Sequence, residues 1–204
     1  MGCLLAASRS TYAVGATSER MEQVFAPWRI EWVERDGDEG DDRCPFCALP
    51  EQSADRENRI VARSERSFVL LNNYPYNPGH LMVIPNAHTG DYRELDEATL
   101  LDHARLKQRT IDALDAAFGP DGFNAGLNLG GDAAGGSIDD HVHTHVVPRW
   151  SGDTNFMAVI GETKVIVEAL EDTYERLHDA FADQAGTERP DDEDAAVQVV
   201  EPRS

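Results

Sequence analysis

Three histidines stand at alternating positions in residues 141 to 145, which read HVHTH. A β-strand has a side-chain period of two, so the pattern predicts that His141, His143 and His145 share one face, roughly 7 Å apart along the strand. Histidine can act as a base, a nucleophile or a metal ligand near neutral pH because its ordinary pKa is about 6.5. We therefore interpret the row as a functional site rather than as a solvated strand face.

A second group of reactive residues is the C-x-x-C motif of Cys44 and Cys47. Two thiolates at this spacing can share one Zn²⁺, although a structural tetrahedral site needs two further ligands. A redox dithiol and a disulfide are the alternatives. A thioredoxin-like motif belongs in a βαβ context, whereas a charged loop at 34–43 precedes this one. A structural disulfide is disfavoured in a reducing cytoplasm, so the motif favours structural zinc.

The segments around these motifs predict the elements that position them. Runs rich in β-branched and aromatic residues predict five strands, and apolar residues at helical spacing predict one long helix before Gly119 and a second helix near the C-terminus. The predicted strands are 59–63, 67–72, 80–85, 123–129 and 141–147. This order predicts an α+β domain on an antiparallel sheet of about five strands, with one long central helix and a C-terminal helix.

The net charge of the chain limits the kinds of partner that it can bind and indicates the environment in which it works. The net charge is −20, from 38 acidic residues against 18 basic ones, and only Lys107 and Lys164 are lysines. Such a surface repels nucleic acid and anionic membranes. The near absence of lysine indicates adaptation to a salt-rich, halophilic cytoplasm. No apolar stretch is long enough to span a bilayer, so we expect a cytoplasmic protein without membrane partners.

Composition also predicts the limits of the domain. At 204 residues the chain suits one buried core. Residues 1–20 are predicted to be a flexible tail or to precede the true start at Met21. Residues 21–182 are predicted to form the domain, and residues 183–204 are predicted to be an acidic disordered tail because they contain little apolar surface.

With these residues in view, the chain resembles the histidine triad (HIT) superfamily, whose signature is H-x-H-x-H followed by two apolar residues, as in residues 141–147. The resemblance extends to SFVLLNNYPYNPGHLMVIPNAH at 67–88 and VVPRWSGDTNFM at 146–157. It is closest to the branch of diadenosine tetraphosphate phosphorylases and fragile-histidine-triad-like hydrolases, because PRW and GDTNF follow the triad there. Thr144 departs from the usual apolar residue between the second and third histidines.

The resemblance implies nucleotidyl transfer at the α-phosphate of an adenylylated substrate such as a dinucleoside polyphosphate. His143 is then the nucleophile, provided that an acceptor such as a backbone carbonyl holds its other ring nitrogen protonated. Water or phosphate would release the covalent nucleotidyl group from His143. Donors to the phosphate oxygens are expected from His145 and from the turn formed by Gly135, Gly136 and Ser137.

The family pattern also implies ligands and partners. Asn72 would contact the ribose, Asn128 the phosphates, and Trp150 and Asn155 would help to close the site. Zinc would be completed by two histidines, and the proposed ligands are Cys44, Cys47, His88 and His141. A homodimer is expected, formed through paired sheets and the helix at 98–118.

Two rival functions remain open at this point. One is a nucleotide-binding sensor without catalysis, and the other is a metallohydrolase in which all three triad histidines hold a catalytic metal. Among the other histidines, His80 is expected to make a structural hydrogen bond, whereas His103 and His178 lie on predicted helices and are expected to be solvated.

Overall fold

The structure is a computed structural model that describes residues 43–134, 138–153 and 169–200. The expected tail at 1–20 lies outside these ranges, and so does the charged loop at 34–43 except for Arg43. In the part of the chain that is described, no helix combines the length and the apolar character needed to cross a bilayer.

The described elements follow the predicted order with additions at both ends. The helices are Pro45–Ala48 (α1), Glu97–Phe118 (α2) and Leu170–Ala182 (α3). The strands are Ile60–Arg63 (β1), Ser67–Leu71 (β2), Leu81–Pro85 (β3), Gly122–Gly126 (β4), Thr144–Arg149 (β5), Thr187–Glu188 (β6) and Val197–Val199 (β7). The fold class is therefore α+β, as predicted.

All seven strands join one mixed sheet in the order β4-β5-β3-β2-β1-β7-β6. The five predicted strands form its antiparallel part. β7 then adds parallel to β1, and β6 pairs antiparallel with β7. The prediction of about five strands was therefore short by two, and both extra strands lie in the segment that we expected to be disordered.

The prediction of disorder at 183–204 was wrong for a local reason. The acidic residues 191–194 dominate the composition, but they are followed by the apolar run AAVQVV at 195–200. Ala196 and Val197 are fully buried against the sheet, and the backbone N–H of Ala196 donates to the Asp55 carboxylate. A short strand can therefore be stabilised at a sheet edge even when the surrounding segment is strongly charged.

Helix α2 begins and ends at the residues that capping rules favour. The side chain of Asp96 accepts a hydrogen bond from the backbone of Thr99 at the N-terminus. Gly119 ends the helix in a left-handed conformation with φ 55°, and its N–H donates to the carbonyl of Asp115. The stop that the sequence predicts at Gly119 is confirmed.

The sheet separates two apolar clusters because strand side chains alternate between its faces. The helix-side cluster packs β-strand residues against α2 and α3 and includes Val69, Leu71, Val83, Val146, Leu106, Leu114, Leu177 and Phe181. The site-side cluster lies on the other face and consists of Phe46, Ile60, Phe68, Leu70, Met82, Ile84 and Ala196. Phe46 connects α1 to this second face.

Candidate active site and metal-binding loop

The triad lies where β5 begins, on the same face as the site-side cluster. His145 pairs across the sheet with Met82 of that cluster, whereas Val146 belongs to the helix-side cluster. The strand begins at Thr144 rather than at His141 as predicted, because Val142 donates its N–H to Thr89 instead of to β3. His141 and His143 therefore lie in the segment that enters β5.

The His143 ring is oriented by a backbone carbonyl two residues earlier in the chain. Its Nδ1 lies 2.9 Å from the carbonyl oxygen of His141, and a carbonyl can only accept, so Nδ1 carries the proton. The lone pair then resides on Nε2. His143 is 7% exposed, and its ring centroid lies 5.0 Å from that of His145. The side chain thus has the tautomer that a nucleophilic imidazole requires.

His145 is oriented by a second histidine, His80, at the start of β3. The backbone N–H of Tyr76 donates to His80 Nδ1 at 3.2 Å, which places the proton of a neutral His80 on Nε2. That Nε2 lies 2.9 Å from His145 Nδ1. His145 Nδ1 is then an acceptor and its Nε2 carries a proton. His143, just before β5, and His145, on β5, therefore offer opposite groups: a lone pair on His143 and an N–H donor on His145.

The remaining triad histidine faces the C-x-x-C motif. Ligand atoms of Cys44, Cys47, His88 and His141 all lie within 4.8 Å of one another. His141 Nδ1 is 3.3 Å from Cys44 Sγ, 3.6 Å from Cys47 Sγ and 3.4 Å from His88 Nδ1. Zinc bonds of about 2.0–2.3 Å in tetrahedral geometry separate the ligand atoms by roughly 3.3–3.8 Å. The donor set fits Zn²⁺, and the structure brings together all four residues that the resemblance implied.

The chemistry of the donors also suits a cation. His141 Nε2 lies 2.8 Å from the carbonyl of Pro85, so it carries the proton and leaves Nδ1 to bind metal. Burial, the main cause, lowers the pKa of His141 and keeps it neutral. Burial first, and then the adjacent Cys44, raise the pKa of the Cys47 thiol to about 11. A bound cation would offset this cost of forming a second thiolate.

The candidate metal-binding loop, Cys44–Cys47, is formed by short-range contacts. The carbonyl of Cys44 accepts from the N–H groups of Cys47 and Ala48, and Pro45 starts the four-residue helix α1. On the histidine side, a Cβ placed on Gly90 would lie 2.2 Å from the carbonyl oxygen of Asp139. Glycine is therefore needed where the segment after His88 passes the segment before His141.

The predicted substrate contacts are only partly within the described residues. Asn72 lies at the end of β2, and its Oδ1 accepts from the backbone of Tyr74. Asn128 is partly buried after β4, and Trp150 is partly buried after β5. Gly135, Gly136, Ser137 and Asn155 lie outside the described residues. The contacts of all these residues with a nucleotide therefore stay predictions.

Three residues that contribute to the candidate site were not assigned to it from the sequence. His80 was expected to make a structural hydrogen bond, but its partner is a triad histidine; the P-G-H turn before β3 was its only signal. Phe46 contacts the His143 ring, and its place inside the C-x-x-C motif could have indicated this. Asp153 accepts from Arg149, Trp150 and Asn77, and thereby fixes the chain beyond β5.

His103 corrects another expectation. It is 1% exposed rather than solvated, and its Nε2 contacts the carbonyl of Val83 and the hydroxyl of Thr144. Thr144 thus replaces the usual apolar residue because it faces a buried histidine of α2. His178 is partly buried, with its Nε2 3.1 Å from the carbonyl of Ala195.

Fold and site together define a class of protein: a largely antiparallel sheet with three alternating histidines at the start of an inner strand, on the face opposite a long packed helix. The family model for the HIT domain matches residues 53–152. A curated AP-4-A phosphorylase of Mycobacterium tuberculosis is 38% identical over 172 residues, which cover 81% of this chain and 87% of the relative. The chain therefore belongs to the HIT-domain family.

Further relatives agree with this assignment. A bis(5'-nucleosyl)-tetraphosphatase [asymmetrical] of Schizosaccharomyces pombe is 26% identical, over 65% of this chain and 71% of the relative. Among solved structures, a zinc-bound histidine triad family protein of Mycobacterium smegmatis aligns with a TM-score of 0.55 and 28% identity, over 68% of this chain and 93% of that one. A histidine triad nucleotide-binding protein of Sulfolobus tokodaii aligns with a TM-score of 0.53 and 31% identity, over 68% and 89% of the two chains.

Proposed function

We propose that the protein is a nucleotidyl hydrolase or transferase that cleaves dinucleoside polyphosphates, such as diadenosine tetraphosphate, through a covalent nucleotidyl group on His143. The observation that carries the proposal is the pair of opposite groups at the start of β5: a lone pair on His143 Nε2 and an N–H on His145. A phosphoryl centre needs both a nucleophile and donors to the oxygens on which charge develops.

The first half of the reaction follows from this arrangement. His143 Nε2 attacks the α-phosphorus of diadenosine tetraphosphate, the bond to the bridging oxygen breaks, and ATP leaves. His145 donates to a non-bridging oxygen throughout. The carbonyl of His141 at 2.9 Å stabilises the positive charge that His143 gains when its Nε2 forms a bond to phosphorus.

The second half transfers the adenylyl group from His143 to an acceptor. Inorganic phosphate would yield ADP, and water would yield AMP. The 38% identical relative is named a phosphorylase, which supports phosphate as the acceptor. The local N–H donors matter for either anion because the chain carries a net charge of −20, which would otherwise repel a polyphosphate.

A zinc ion would be held by Cys44, Cys47, His88 and His141 in a structural role. The M. smegmatis protein, which is described as zinc-bound, supports this proposal beside the geometry of the four ligands. The metal would fix the segment that enters β5. A metallohydrolase that uses all three triad histidines is less well supported, because the cluster found among the described residues contains His141 but neither His143 nor His145.

The test is to incubate the full chain with diadenosine tetraphosphate, with and without phosphate, and to resolve the nucleotides by chromatography. We expect ATP and ADP when phosphate is present, and a loss of about 10³-fold or more in kcat for His143→Ala. The matched control is His178→Ala, which removes a histidine on α3 and should retain wild-type turnover. No turnover under either condition, or undiminished turnover by His143→Ala, would reject the proposal.

A further inference from the structure

Phe46 connects the metal-binding loop to the proposed nucleophile. It lies between Cys44 and Cys47 and is 4% exposed. Its ring centroid is 5.2 Å from that of His143 and 5.6 Å from that of His141. Phe46 therefore contacts both His141, a candidate metal ligand, and His143, the proposed nucleophile.

The same ring is anchored in the site-side cluster. Phe46 packs there with β-strand residues that include Phe68, Leu70 and Met82. The loop thus contributes an aromatic ring to the face on which the triad lies. Because packed side chains at such contacts tolerate little displacement, the position of the loop constrains the position of the His143 ring.

Two routes run from the metal ligands to His143. One is the backbone: the carbonyl of His141 binds Nδ1 of His143. This hydrogen bond restrains the Nδ1 atom but does not by itself set the tilt of the ring. The second route is the packing of Phe46 against the ring, which limits that tilt. Attack on phosphorus needs both constraints, since an error of about 1 Å in a reacting group can cost about 100-fold in rate.

The helical turn of the loop is the shortest of the three described α-helices. Helix α1 has only four residues, and its N-terminus at Cys44 has no side-chain capping hydrogen bond. A single helical turn is unstable alone because nucleation is costly. Two thiolate ligands that flank Phe46 would fix both ends of this turn.

We propose that Phe46 is a positioning residue for His143, and that through it the orientation of the nucleophile depends on metal bound to the Cys44–Cys47 loop. The role of His143 as nucleophile rests on the proposed function. The dependence of its ring orientation on Phe46 and zinc is a separate statement that can be measured without any substrate.

The experiment follows the imidazole signals of His143 by NMR in the full chain, with zinc bound and after zinc is removed by a chelator. The His143→Gln variant assigns the signals. The decisive variant is Phe46→Leu, with Phe46→Met as a second variant in case the first one does not fold. The matched control is Phe68→Leu, which changes a fully buried phenylalanine of the same cluster. Zinc content per chain is measured for every variant.

In the wild type and in Phe68→Leu we expect one sharp set of His143 signals with zinc and broadened or shifted signals without it. In zinc-loaded Phe46→Leu the signals should resemble those of the zinc-free wild type. If the proposed activity is present, kcat should fall about 10- to 100-fold in Phe46→Leu with little change in KM. A zinc response of the His143 signals that persists in Phe46→Leu would overturn the proposal in favour of the backbone route. An equal loss of the zinc response in Phe68→Leu would also overturn it, because it would show general loosening of the site-side cluster.

Discussion

Three chemically identical side chains differ in the atoms that bind their ring nitrogens, and these partners support the three roles that we propose for them. The Pro85 carbonyl accepts a hydrogen bond from Nε2–H of His141, and the His141 carbonyl accepts one from Nδ1–H of His143. His145 accepts at Nδ1 from His80. The tautomer of each ring, and hence whether it offers a ligand atom, a nucleophile or a donor, follows from its partner.

The sequence predicted some of these roles and not others. The alternation of the triad and the C-x-x-C spacing indicated a functional row of histidines and two possible zinc ligands. The resemblance to the HIT superfamily implied His143 as the nucleophile and His88 and His141 as the other two ligands. The partners that orient the rings could not be predicted, because backbone carbonyls have no residue signature. His80 lies 65 positions from His145 in the chain, and only the antiparallel pairing of β3 with β5 brings the two together.

The first prediction concerns His80. His80→Ala removes the donor to His145 Nδ1, so His145 loses its fixed tautomer and kcat should fall about 5- to 30-fold, the effect of roughly 1–2 kcal/mol. Steady-state kinetics would measure the loss. His80→Gln keeps an N–H near the same position and should recover part of it. Equal rates for Ala and Gln variants would argue that His80 acts only through packing.

The second prediction concerns the pH dependence of stability through His103. Burial, the main cause, lowers the pKa of His103 from 6.5, so the folded protein keeps it neutral where the unfolded chain binds a proton. The unfolded state then holds more protons below pH 6.5, and the free energy of unfolding should fall as the pH drops below that value. The slope for one histidine is at most about 1.4 kcal/mol per pH unit.

Urea unfolding of zinc-loaded protein between pH 7 and pH 5 would test this prediction. His103→Gln keeps an N–H donor near the Val83 carbonyl but cannot titrate. Its stability should therefore change less than that of the wild type over this range. A variant with the same pH dependence as the wild type would contradict the prediction.

At the scale of elements, the site depends on how two connecting segments pass each other. The residues after β3 carry His88, and those before β5 carry His141. Val142 donates to the Thr89 carbonyl at 2.7 Å, and Gly90 lies against the backbone of Asp139. The strands could be predicted from their composition. This crossing could not, because it depends on how the two connecting segments are placed relative to each other in the folded protein.

The third prediction follows from that crossing. In Gly90→Ala the new Cβ would lie 2.2 Å from the Asp139 carbonyl oxygen, so the backbone must move. We expect a loss of about 1–3 kcal/mol in stability and zinc affinity weaker by about 10- to 100-fold, measured by competition with a chelator. The control is Gly122→Ala in β4, where a Cβ would meet nothing within 4 Å. Wild-type zinc affinity in Gly90→Ala would show that the crossing does not position the ligands.

The C-terminal strand shows where composition fails as a guide. A charged segment is usually disordered because it cannot bury enough apolar surface. Here the pattern of 195–200 allows Val197 to be buried completely, whereas Val200 stays 39% exposed. The neighbouring strand β1 supplies the open edge, which is not visible in the segment itself.

The fourth prediction tests this strand. Val197→Ala should reduce the free energy of unfolding by about 2 kcal/mol, since the removed methyl groups leave a cavity in the core. Val200→Ala should change it by less than about 0.5 kcal/mol. Chemical denaturation of both variants would measure the difference. Equal effects of the two substitutions would mean that β7 is not packed as described.

At the scale of the whole molecule, the net negative charge is the feature that we expect to affect stability most. A net charge of −20 on 204 residues causes repulsion among carboxylates in the folded state. Counter-ions screen this repulsion over a Debye length of about 10 Å at 0.1 M salt and about 3 Å at 1 M. The fifth prediction is that the melting temperature rises by several degrees over this range, with most of the rise below about 0.5 M. Calorimetry that showed a constant or falling melting temperature would contradict adaptation to a salt-rich environment.

The central claim is that the adenylyl group of the substrate is transferred to His143 before it reaches the acceptor. The most direct measurement is mass spectrometry of the protein after it is mixed with diadenosine tetraphosphate in phosphate-free buffer and quenched in alkaline denaturant. The account predicts one adenylyl group per chain on the peptide that contains residues 141–149, localised to His143 and absent from His143→Ala. Turnover by the wild type with no adduct on His143, or with the adduct on another residue, would contradict it.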